Sequence, residues 1–438
     1  MGKIILFGAT GLVGAYTAIH LKENGYDVVA VGHRKSDNGF FKENGIDYFS
    51  LDIRNRNDFN KLPSSNVDYV IHFAGAMPAH MAGYDVQEYV DSIITGTLNV
   101  LDYAKKSGAE KIVFSQSISD VSYLFGTTKP ISEDSVMKFP LTGDHSVYSI
   151  SKNAAVNLIQ HYQAEYGIKA YILRLPTIYA YHPNSFYNVD GKRKKLGYRL
   201  LIAKAEKGEA IEIWGNPKNV KELVYVADFV QLVECCLRAK NNGGIYNVGN
   251  DFPHSFDEQI KVMCEVLNPE DKKSEIIYKP DMPSSPQFVL GIEKAKAELG
   301  YNPKFDLRET FEAFENEKKL QRFSKLWGNE GDSEMIEKLK NEIVKVFGKS
   351  GDSFEYLEKH GCPAVDAIVE IKEKYELKEY PDCIIQLEKE KGEYILYVQR
   401  QDTREGYSIN LLREVEDISV FPAPNNIENK RIVITMKS

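Results

Sequence analysis

The fold class predicted for this 438-residue chain is α/β: a doubly wound parallel sheet with a smaller attached region, followed by an additional C-terminal α+β domain. Three observations support this prediction. Short apolar runs alternate with helical stretches over the first 175 residues, a glycine-rich turn follows the first run, and closely spaced strand patterns replace the alternation after about residue 330. Alternating strands and helices are typical of parallel sheets covered by helices on both faces.

The strands of the predicted sheet are short, continuous apolar runs, as expected for strands that are buried on both faces. They comprise Ile4–Phe7, Val28–Val31, Tyr69–Phe73, Ile112–Ser115 and Ala170–Leu173. Helical patterns lie between them at Tyr16–Asn24, Val86–Ser107 and Val147–Tyr166. Sheets of this class bind ligands beyond the carboxyl ends of their strands.

The chain between residues 176 and 318 has a looser pattern. It predicts strands at Ala210–Ile213 and Ile245–Val248, and helices at Ala227–Ala239 and Phe256–Val266. The polar, aromatic and basic segment Tyr181–Lys195 predicts a long loop, and long loops in compact domains are often functional. We assign residues 1–320 to one domain, in which about 177–215 and 250–300 form the substrate region.

Residues 330–438 predict a separate accessory α+β domain of unknown role. Apolar positions at helical spacing follow Ser333, and a second helical region is predicted over Ser353–Lys374. Strand patterns complete this domain at Cys383–Leu387, Tyr394–Val398, Tyr407–Leu412, Ile418–Phe421 and Arg431–Met436.

Composition narrows the classes of function. A net charge of −8 argues against a nucleic-acid partner, and no apolar stretch reaches the ~20 residues of a membrane helix. The five cysteines form no CxxC pair, which favours reduced thiols, and no signal peptide is visible. No spacing of His, Cys and acidic residues indicates a metal site. We therefore expect a cytoplasmic protein without a metal, a membrane or a nucleic-acid partner.

The turn Gly8-Ala-Thr-Gly11-Leu-Val-Gly14 follows the first strand and opens a helix. Glycine allows positive φ angles and lets a ligand approach the backbone closely. The helix N-terminus offers unpaired N–H groups and a positive dipole end to a pyrophosphate. This context predicts a dinucleotide-binding turn of the Rossmann type, and the alternative is a tight turn without a ligand.

The end of the second strand bears on the choice of dinucleotide. An acid there would bind the ribose 2′-hydroxyl of NAD, but the sequence has His33, Arg34 and Lys35 instead. Arg34 and Lys35 suit the 2′-phosphate of NADP, although both could be solvated loop cations. We expect NADP, with NAD possible. Asp52, after the third strand, is a candidate adenine contact.

Tyr148 and Lys152 stand four residues apart, which places both side chains on one face of a predicted helix. A free tyrosine has a pKa of about 10, and a nearby ammonium would lower it. The phenol could then exchange a proton with a carbinol. The spacing is frequent by chance, but its position after the fifth strand–helix unit favours a catalytic pair.

Together, these motifs resemble the extended short-chain dehydrogenase/reductase family, in the branch called NAD-dependent epimerase/dehydratases, over about residues 2–318. The resemblance depends on Gly8, Gly11, Gly14, Asp52, Ile71–Gly75, Gly96–Asn99, Val113–Ser117, Tyr148, Lys152, Arg174–Thr177, Val224–Asp228, Tyr246–Gly249 and Leu299–Pro303.

The resemblance implies a site and an assembly. Ser117 would be the third catalytic residue beside Tyr148 and Lys152, with Ser115 and Ser119 as competitors. The expected cofactor contacts are Gly8, Thr10, Gly11, Leu12, Val13, Gly14, His33, Arg34, Lys35, Asp52, Ile53, Phe73, Ala74, Gly75, Ala76, Ser115, Pro176 and Thr177. The expected substrate contacts are Ser119, His182, Asn184 and Lys221. Family members commonly dimerise through the helices that correspond to Val86–Ser107 and Val147–Tyr166, so we expect a homodimer.

Three departures from the family pattern bear on the reaction. Ile93 replaces an Asn that the family often has, and Lys221-Glu222 replaces an Arg-Asp pair whose Arg commonly binds a nucleotide-sugar phosphate. Ile118-Ser119 stands where 4,6-dehydratases carry Asp-Glu, which argues against dehydration. We expect an NAD(P)-dependent epimerase or reductase acting on a sugar, in particular a sugar nucleotide. The alternative is a non-catalytic, NADP-binding regulatory or redox-sensing protein.

Overall fold

The computed structural model describes residues 2–78, 84–183, 186–189, 192–195, 197–328, 332–348, 354–362, 364–373, 376–390, 393–404, 406–411, 414–423 and 426–436. The chain divides into two compact units, Met1–Gly328 and Asn329–Ser438. Apolar side chains form a core within each unit.

The strands of the first unit are β1 (Lys3–Phe7), β2 (Asp27–Gly32), β3 (Asp47–Ser50), β4 (Tyr69–His72), β5 (Lys111–Ser117), β6 (Lys169–Leu175), β7 (Ile178–Tyr179), β8 (Phe186–Val189), β9 (Lys192–Lys195), β10 (Ile211–Trp214), β11 (Val224–Tyr225), β12 (Gly243–Asn247) and β13 (Ile276–Lys279). Seven of them form a parallel sheet in the order β12-β6-β5-β4-β1-β2-β3. Strand addition reverses direction between β1 and β4, and sheets of this class bind ligands at that switch point. The prediction of a doubly wound parallel sheet is confirmed.

The α-helices of the first unit are α1 (Leu12–Glu23), α2 (Phe40–Glu43), α3 (Val86–Tyr89), α4 (Gly96–Ser107), α5 (Asp144–Tyr166), α6 (Gly197–Glu206), α7 (Val226–Arg238), α8 (Phe256–Leu267), α9 (Glu293–Leu299), α10 (Leu307–Leu320) and α11 (Ser324–Trp327). Local sequence explains several of their ends. Capping boxes at Ser255 and Asp306 begin α8 and α10, and Gly108 and Gly167 end α4 and α5 in the left-handed conformation. A π-helical turn, Val90–Thr95, joins α3 to α4.

The central sheet separates two apolar cores. Along β1, Ile4 and Leu6 pack into one core while Ile5 and Phe7 pack into the other, and all four side chains are fully buried. Successive residues of a strand point to opposite faces, so a strand buried on both faces needs a continuous apolar run. This packing is the physical reason for the uninterrupted apolar strands in the sequence.

The segment that follows the sheet is not a plain loop. The prediction of a long loop over Tyr181–Lys195 is wrong in part, because β8 and β9 pair as an antiparallel hairpin. The overlooked signal is the dipeptide Asp190-Gly191, which is typical of tight hairpin turns. Two further two-stranded parallel sheets, β7 with β11 and β10 with β13, lie in the chain after the central sheet strand β6.

The second unit contains α12 (Asp332–Phe347), α13 (Phe354–His360), β14 (Val365–Glu373), β15 (Glu376–Glu390), β16 (Glu393–Arg400), β17 (Gly406–Asn410), β18 (Val415–Ala423) and β19 (Asn426–Met436). Its sheet has the order β17-β16-β15-β14-β19-β18. The helix predicted over Ser353–Lys374 is wrong in its second half, where β14 lies. Ala367, Val369 and Ile371 are buried at every second position, which is the period of a strand. In the part of the chain that the structure describes, no helix has the length and apolar character to cross a membrane.

Candidate active site

A cavity of about 1050 Å³ opens at the carboxyl ends of β1, β4, β5 and β6. The glycine turn lines one end of it, and β7, the start of α6 and the chain around Phe288 line the other. Its volume is at the upper end of the roughly 300–1,000 Å³ typical of small-molecule sites, as a site for two ligands requires.

The glycine turn is shaped by contacts that a side chain would block. Gly8 has a φ of 87°, and a Cβ at Gly14 would lie 2.1 Å from the Gly8 carbonyl oxygen. Helix α1 begins at Leu12, and no side chain caps its N-terminus. Leu12 and Val13 line the cavity, so the first turn of α1 faces it. This cradle fits the pyrophosphate of a dinucleotide.

Most of the expected cofactor contacts meet in this cavity. The lining residues among them are Gly8, Thr10, Gly11, Leu12, Val13, His33, Asp52, Ile53, Phe73, Ala74, Gly75, Ala76, Ser115, Pro176 and Thr177. Three are not among the lining residues. Gly14 lies within α1 against Gly8, Lys35 is exposed, and the Arg34 Nη1 atom donates to the Leu326 carbonyl at 2.8 Å.

Asp52 is already engaged by a neighbouring cation. Arg54 donates to both of its carboxylate oxygens, with Nε at 2.9 Å from Oδ1 and Nη2 at 2.6 Å from Oδ2. The hydrogen bonds from Arg54 lower the pKa of Asp52. Both residues line the cavity, so the Arg54 guanidinium lies beside Asp52, the expected adenine contact, in the dinucleotide site.

The three expected catalytic residues lie together. Helix α5 presents Tyr148 and Lys152, and β5 ends at Ser117. Tyr148 and Ser117 both line the cavity, and the Tyr148 hydroxyl lies 4.0 Å from the Met77 sulfur. The Lys152 Nζ atom donates to the Ser115 carbonyl at 2.7 Å and lies 5.8 Å from the centre of the Tyr148 ring. The arrangement can hold a substrate oxygen between a phenol and a serine hydroxyl.

Burial controls the protonation of this cluster. It raises the pKa of Tyr148, and the Ser117 side chain opposes that rise. Burial also lowers the pKa of Lys152 from 10.5 to about 7. The sequence led us to expect an ammonium that lowers the tyrosine pKa, but desolvation of both groups is the larger effect.

The other end of the cavity holds two of the four expected substrate contacts. Ser119 and Lys221 line it, and burial lowers the pKa of Lys221. Phe125 and Phe288 stack there with ring centroids 4.9 Å apart. The His182 ring is not among the lining residues, because it packs on Trp327 at 4.2 Å, and Asn184 lies outside the described residues.

Sequence reasoning missed several residues that line the cavity. They are Arg54, Met77, Pro78, Glu88, Ser92, Phe125, Tyr179, Tyr198, Pro286 and Phe288. Arg54, Met77, Pro78 and Tyr179 had a signal, since each stands one or two residues from a predicted cofactor contact. The others come from segments that only the fold brings together.

Comparison with known proteins decides the family. The profile of the NAD dependent epimerase/dehydratase family matches residues 4–249, more than half of the chain. The chain belongs to this family. The matched residues contain the central sheet, the glycine turn and the Tyr148 cluster, and the name of the family describes NAD-dependent enzymes.

Relatives of this epimerase/dehydratase-family protein match about seven-tenths of its length. UDP-glucuronic acid decarboxylase 3 of Arabidopsis thaliana is 28% identical over 328 residues, which cover 73% of this chain and 90% of that protein. UDP-glucuronate 4-epimerase 5 of the same plant is 23% identical over 337 residues, with 71% and 74% covered. The crystal structure of UDP-glucuronic acid 4-epimerase from Bacillus cereus with UDP-glucuronic acid and NAD shares the fold, with a TM-score of 0.57, 24% identity, and 73% and 99% covered.

Proposed function

We propose that this protein is a nicotinamide-dependent enzyme that acts on a sugar nucleotide. The reaction we favour is epimerisation, and the alternative is reduction. One observation carries the proposal: the glycine turn and the cluster of Tyr148, Lys152 and Ser117 line a single cavity. That cavity extends beyond the cluster to Lys221 and the Phe125–Phe288 pair, which leaves space for a second ligand.

The proposed roles follow from the contacts of each side chain. The bound dinucleotide would supply a hydride acceptor and donor. Tyr148 would move a proton between its phenol oxygen and the reacting oxygen of the sugar. Ser117, which lines the cavity together with Tyr148, would hold that oxygen in place. Lys152, which donates to the Ser115 carbonyl, would orient the Tyr148 phenol and a ribose of the bound dinucleotide.

The substrate class is inferred from two sources. The relatives of this chain are named for UDP-sugars, including a decarboxylase and 4-epimerases. Lys221 places a cation at the substrate end, where a diphosphate would need one, although as a point charge without the fork of an arginine. Ile118 and Ser119 follow Ser117 where a dehydratase would carry two acids, so epimerisation through a transient keto sugar is the reaction we favour.

We propose NADP as the preferred dinucleotide, with NAD as the alternative. Strand β2 ends at Gly32 and His33 follows, so no carboxylate stands there for the ribose 2′-hydroxyl. Arg34 uses Nη1 on the Leu326 carbonyl, and a guanidinium has five N–H donors, which leaves donors for a 2′-phosphate. The solved relative binds NAD, so the two dinucleotides should be compared directly.

The test is an assay of the purified full chain with each dinucleotide and with UDP-glucose, UDP-glucuronic acid or UDP-N-acetylglucosamine. We expect one of these sugars to be converted to its epimer, or the reduced nicotinamide to be consumed. Tyr148→Phe should lower the rate by about 10²- to 10⁴-fold, the usual contribution of a general acid or base, and leave the dissociation constant of the dinucleotide unchanged.

Tyr162→Phe is the matched control for this assay. Tyr162 is buried on the same helix, and its hydroxyl donates to Asp102 at 2.6 Å, away from the cavity. This variant should keep its activity. If no sugar nucleotide reacts and Tyr148→Phe behaves like the wild type in every assay, the chain binds a dinucleotide without catalysis, as a regulatory or redox-sensing protein would.

We also propose a homodimer. The helical chain over Val86–Ser107 and helix α5 expose large apolar side chains, among them Val86, Leu98 and Ile150. Exposed apolar groups on neighbouring helices are suited to pairing with a second copy. Analytical ultracentrifugation would measure this state.

A further inference from the structure

The last residues of the first unit, 321–328, pack next to the glycine turn, and we call them the strap. Helix α11 lies within the strap, with Phe323 and Leu326 buried. The rings of Phe323, Tyr16 of α1 and Trp327 form one cluster. The Phe323 centroid lies 4.5 Å from that of Tyr16 and 4.6 Å from that of Trp327, and the Tyr16 and Trp327 centroids are 6.2 Å apart. The strap is therefore fixed to the helix that begins at the glycine turn.

Trp327 makes a direct contact with the turn. Its indole N–H donates to the Thr10 carbonyl oxygen at 3.0 Å. On the other side of the same peptide unit, the Gly11 N–H donates to the Gly8 carbonyl at 3.1 Å. Both polar groups of the Thr10–Gly11 peptide are thus hydrogen-bonded, so the peptide cannot rotate without losing two bonds. Thr10 and Gly11 line the cavity where the first turn of α1 faces it.

The strap also holds the chain after β2. The Leu326 carbonyl accepts from Arg34 Nη1 at 2.8 Å, and the Lys325 carbonyl accepts from Asn38 Nδ2 at 3.0 Å. Lys325 forms an ion pair with Glu43. The strap therefore contacts both the glycine turn and the loop that contains Arg34, the expected contact of the NADP 2′-phosphate.

We infer that Trp327 is a positioning residue for dinucleotide binding: its hydrogen bond to Thr10 holds the glycine turn in the conformation that receives the pyrophosphate. The inference builds on the dinucleotide site of the proposed function and adds a residue that lies far outside the glycine motif. A turn that is held in its binding conformation loses less entropy when the ligand binds, so the bond should contribute to affinity. Trp327 is not among the residues that line the cavity, so it would act through Thr10.

Calorimetric titration of the full chain with NADP and with NAD tests the inference. Trp327→Phe keeps an aromatic ring in the stack and removes the N–H donor. Loss of one hydrogen bond should weaken binding of the preferred dinucleotide by roughly 3- to 10-fold. The KM for the sugar nucleotide, measured at saturating dinucleotide, should stay unchanged, because the substrate end of the cavity is untouched.

Trp214→Phe is the matched control. The sequence has two tryptophans, and Trp214 lies on β10, half exposed, with its N–H donating to Glu212 at 2.8 Å. This variant loses a comparable bond far from the turn and should bind the dinucleotide like the wild type. Equal affinity of Trp327→Phe and the wild type would overturn the inference. A wild-type chain that binds neither dinucleotide would overturn the proposed function, and the inference with it.

Fluorescence provides a test that leaves the strap intact. In the Trp214→Phe chain the only indole is Trp327, and its emission wavelength should stay the same on saturation with the oxidised dinucleotide, because the turn already has its binding conformation. A large shift in that wavelength while calorimetry shows binding would mean that the turn rearranges, and it would contradict the inference even if Trp327→Phe fails to fold.

Discussion

At the scale of single residues, the buried amine of Lys152 has a measurable consequence for stability. Its pKa is about 7 in the folded protein and 10.5 in an ordinary environment. Between these values the unfolded chain binds more protons, so the free energy of unfolding rises with pH across this window. Below pH 7 both states carry the proton, and the full cost of burying the charge is present.

Lys152→Met should therefore stabilise the fold. We expect its melting temperature to exceed that of the wild type by a few degrees near neutral pH, and the difference to shrink as the pH approaches 10.5. The lost hydrogen bond to Ser115, worth roughly 1 kcal/mol, is the smaller effect. Thermal unfolding at a series of pH values measures the difference. The exposed Lys207→Met serves as the control, and a lower melting temperature for Lys152→Met at neutral pH would contradict the assignment.

At the scale of elements, the junction between β1 and α1 depends on two glycines in contact. A Cβ at Gly14 would lie 2.1 Å from the Gly8 carbonyl oxygen and 2.9 Å from the Ala9 Cα atom. Such distances require the backbone to move, because both neighbours are main-chain atoms. The start of α1 and the turn that faces the cavity therefore form one rigid piece.

Gly14→Ala should push the start of α1 away from the glycine turn. We expect a loss of about 1–3 kcal/mol in the free energy of unfolding, as for other overpacked sites, and at least a tenfold loss of dinucleotide affinity. Denaturant unfolding and calorimetric titration measure the two effects. Gly406→Ala is the comparison, because a Cβ there meets no heavy atom within 4 Å. Unchanged dinucleotide affinity of the Gly14→Ala variant would show that the turn adapts to the added methyl group.

At the scale of the whole molecule, the division at Gly328 separates the two cores of the first unit from the core of the second. The cavity, the glycine turn and the strap all lie in the first unit, and the core of the second unit is drawn from residues 339–434. A chain that ends at Gly328 should therefore fold and bind the dinucleotide with the affinity of the full chain. Calorimetric titration and thermal unfolding of the two chains make the comparison. Aggregation of the shortened chain, or loss of its binding, would show that the first unit needs the second.

The sequence by itself determined the features that depend on neighbours along the chain. The apolar runs predicted the strands of the parallel sheet, the glycine spacing predicted the cradle, and the four-residue spacing placed Tyr148 and Lys152 on one face of α5. Each is set by local backbone geometry, with a period of two in strands and about 3.6 in helices. The same reasoning failed at β14 and at the β8–β9 hairpin, where charged residues obscured the strand pattern.

Only the tertiary structure decided which distant side chains meet. Thr10 and Trp327 are 317 residues apart, and Arg34 and Leu326 are 292 apart, yet each pair is hydrogen-bonded. Phe125 stacks on Phe288 at the substrate end in the same way. Periodicity reports the face on which a residue lies, whereas these contacts depend on how the faces of separate elements pack. The burial that lowers the Lys152 pKa has the same origin, because it is a property of the packed site and not of the motif.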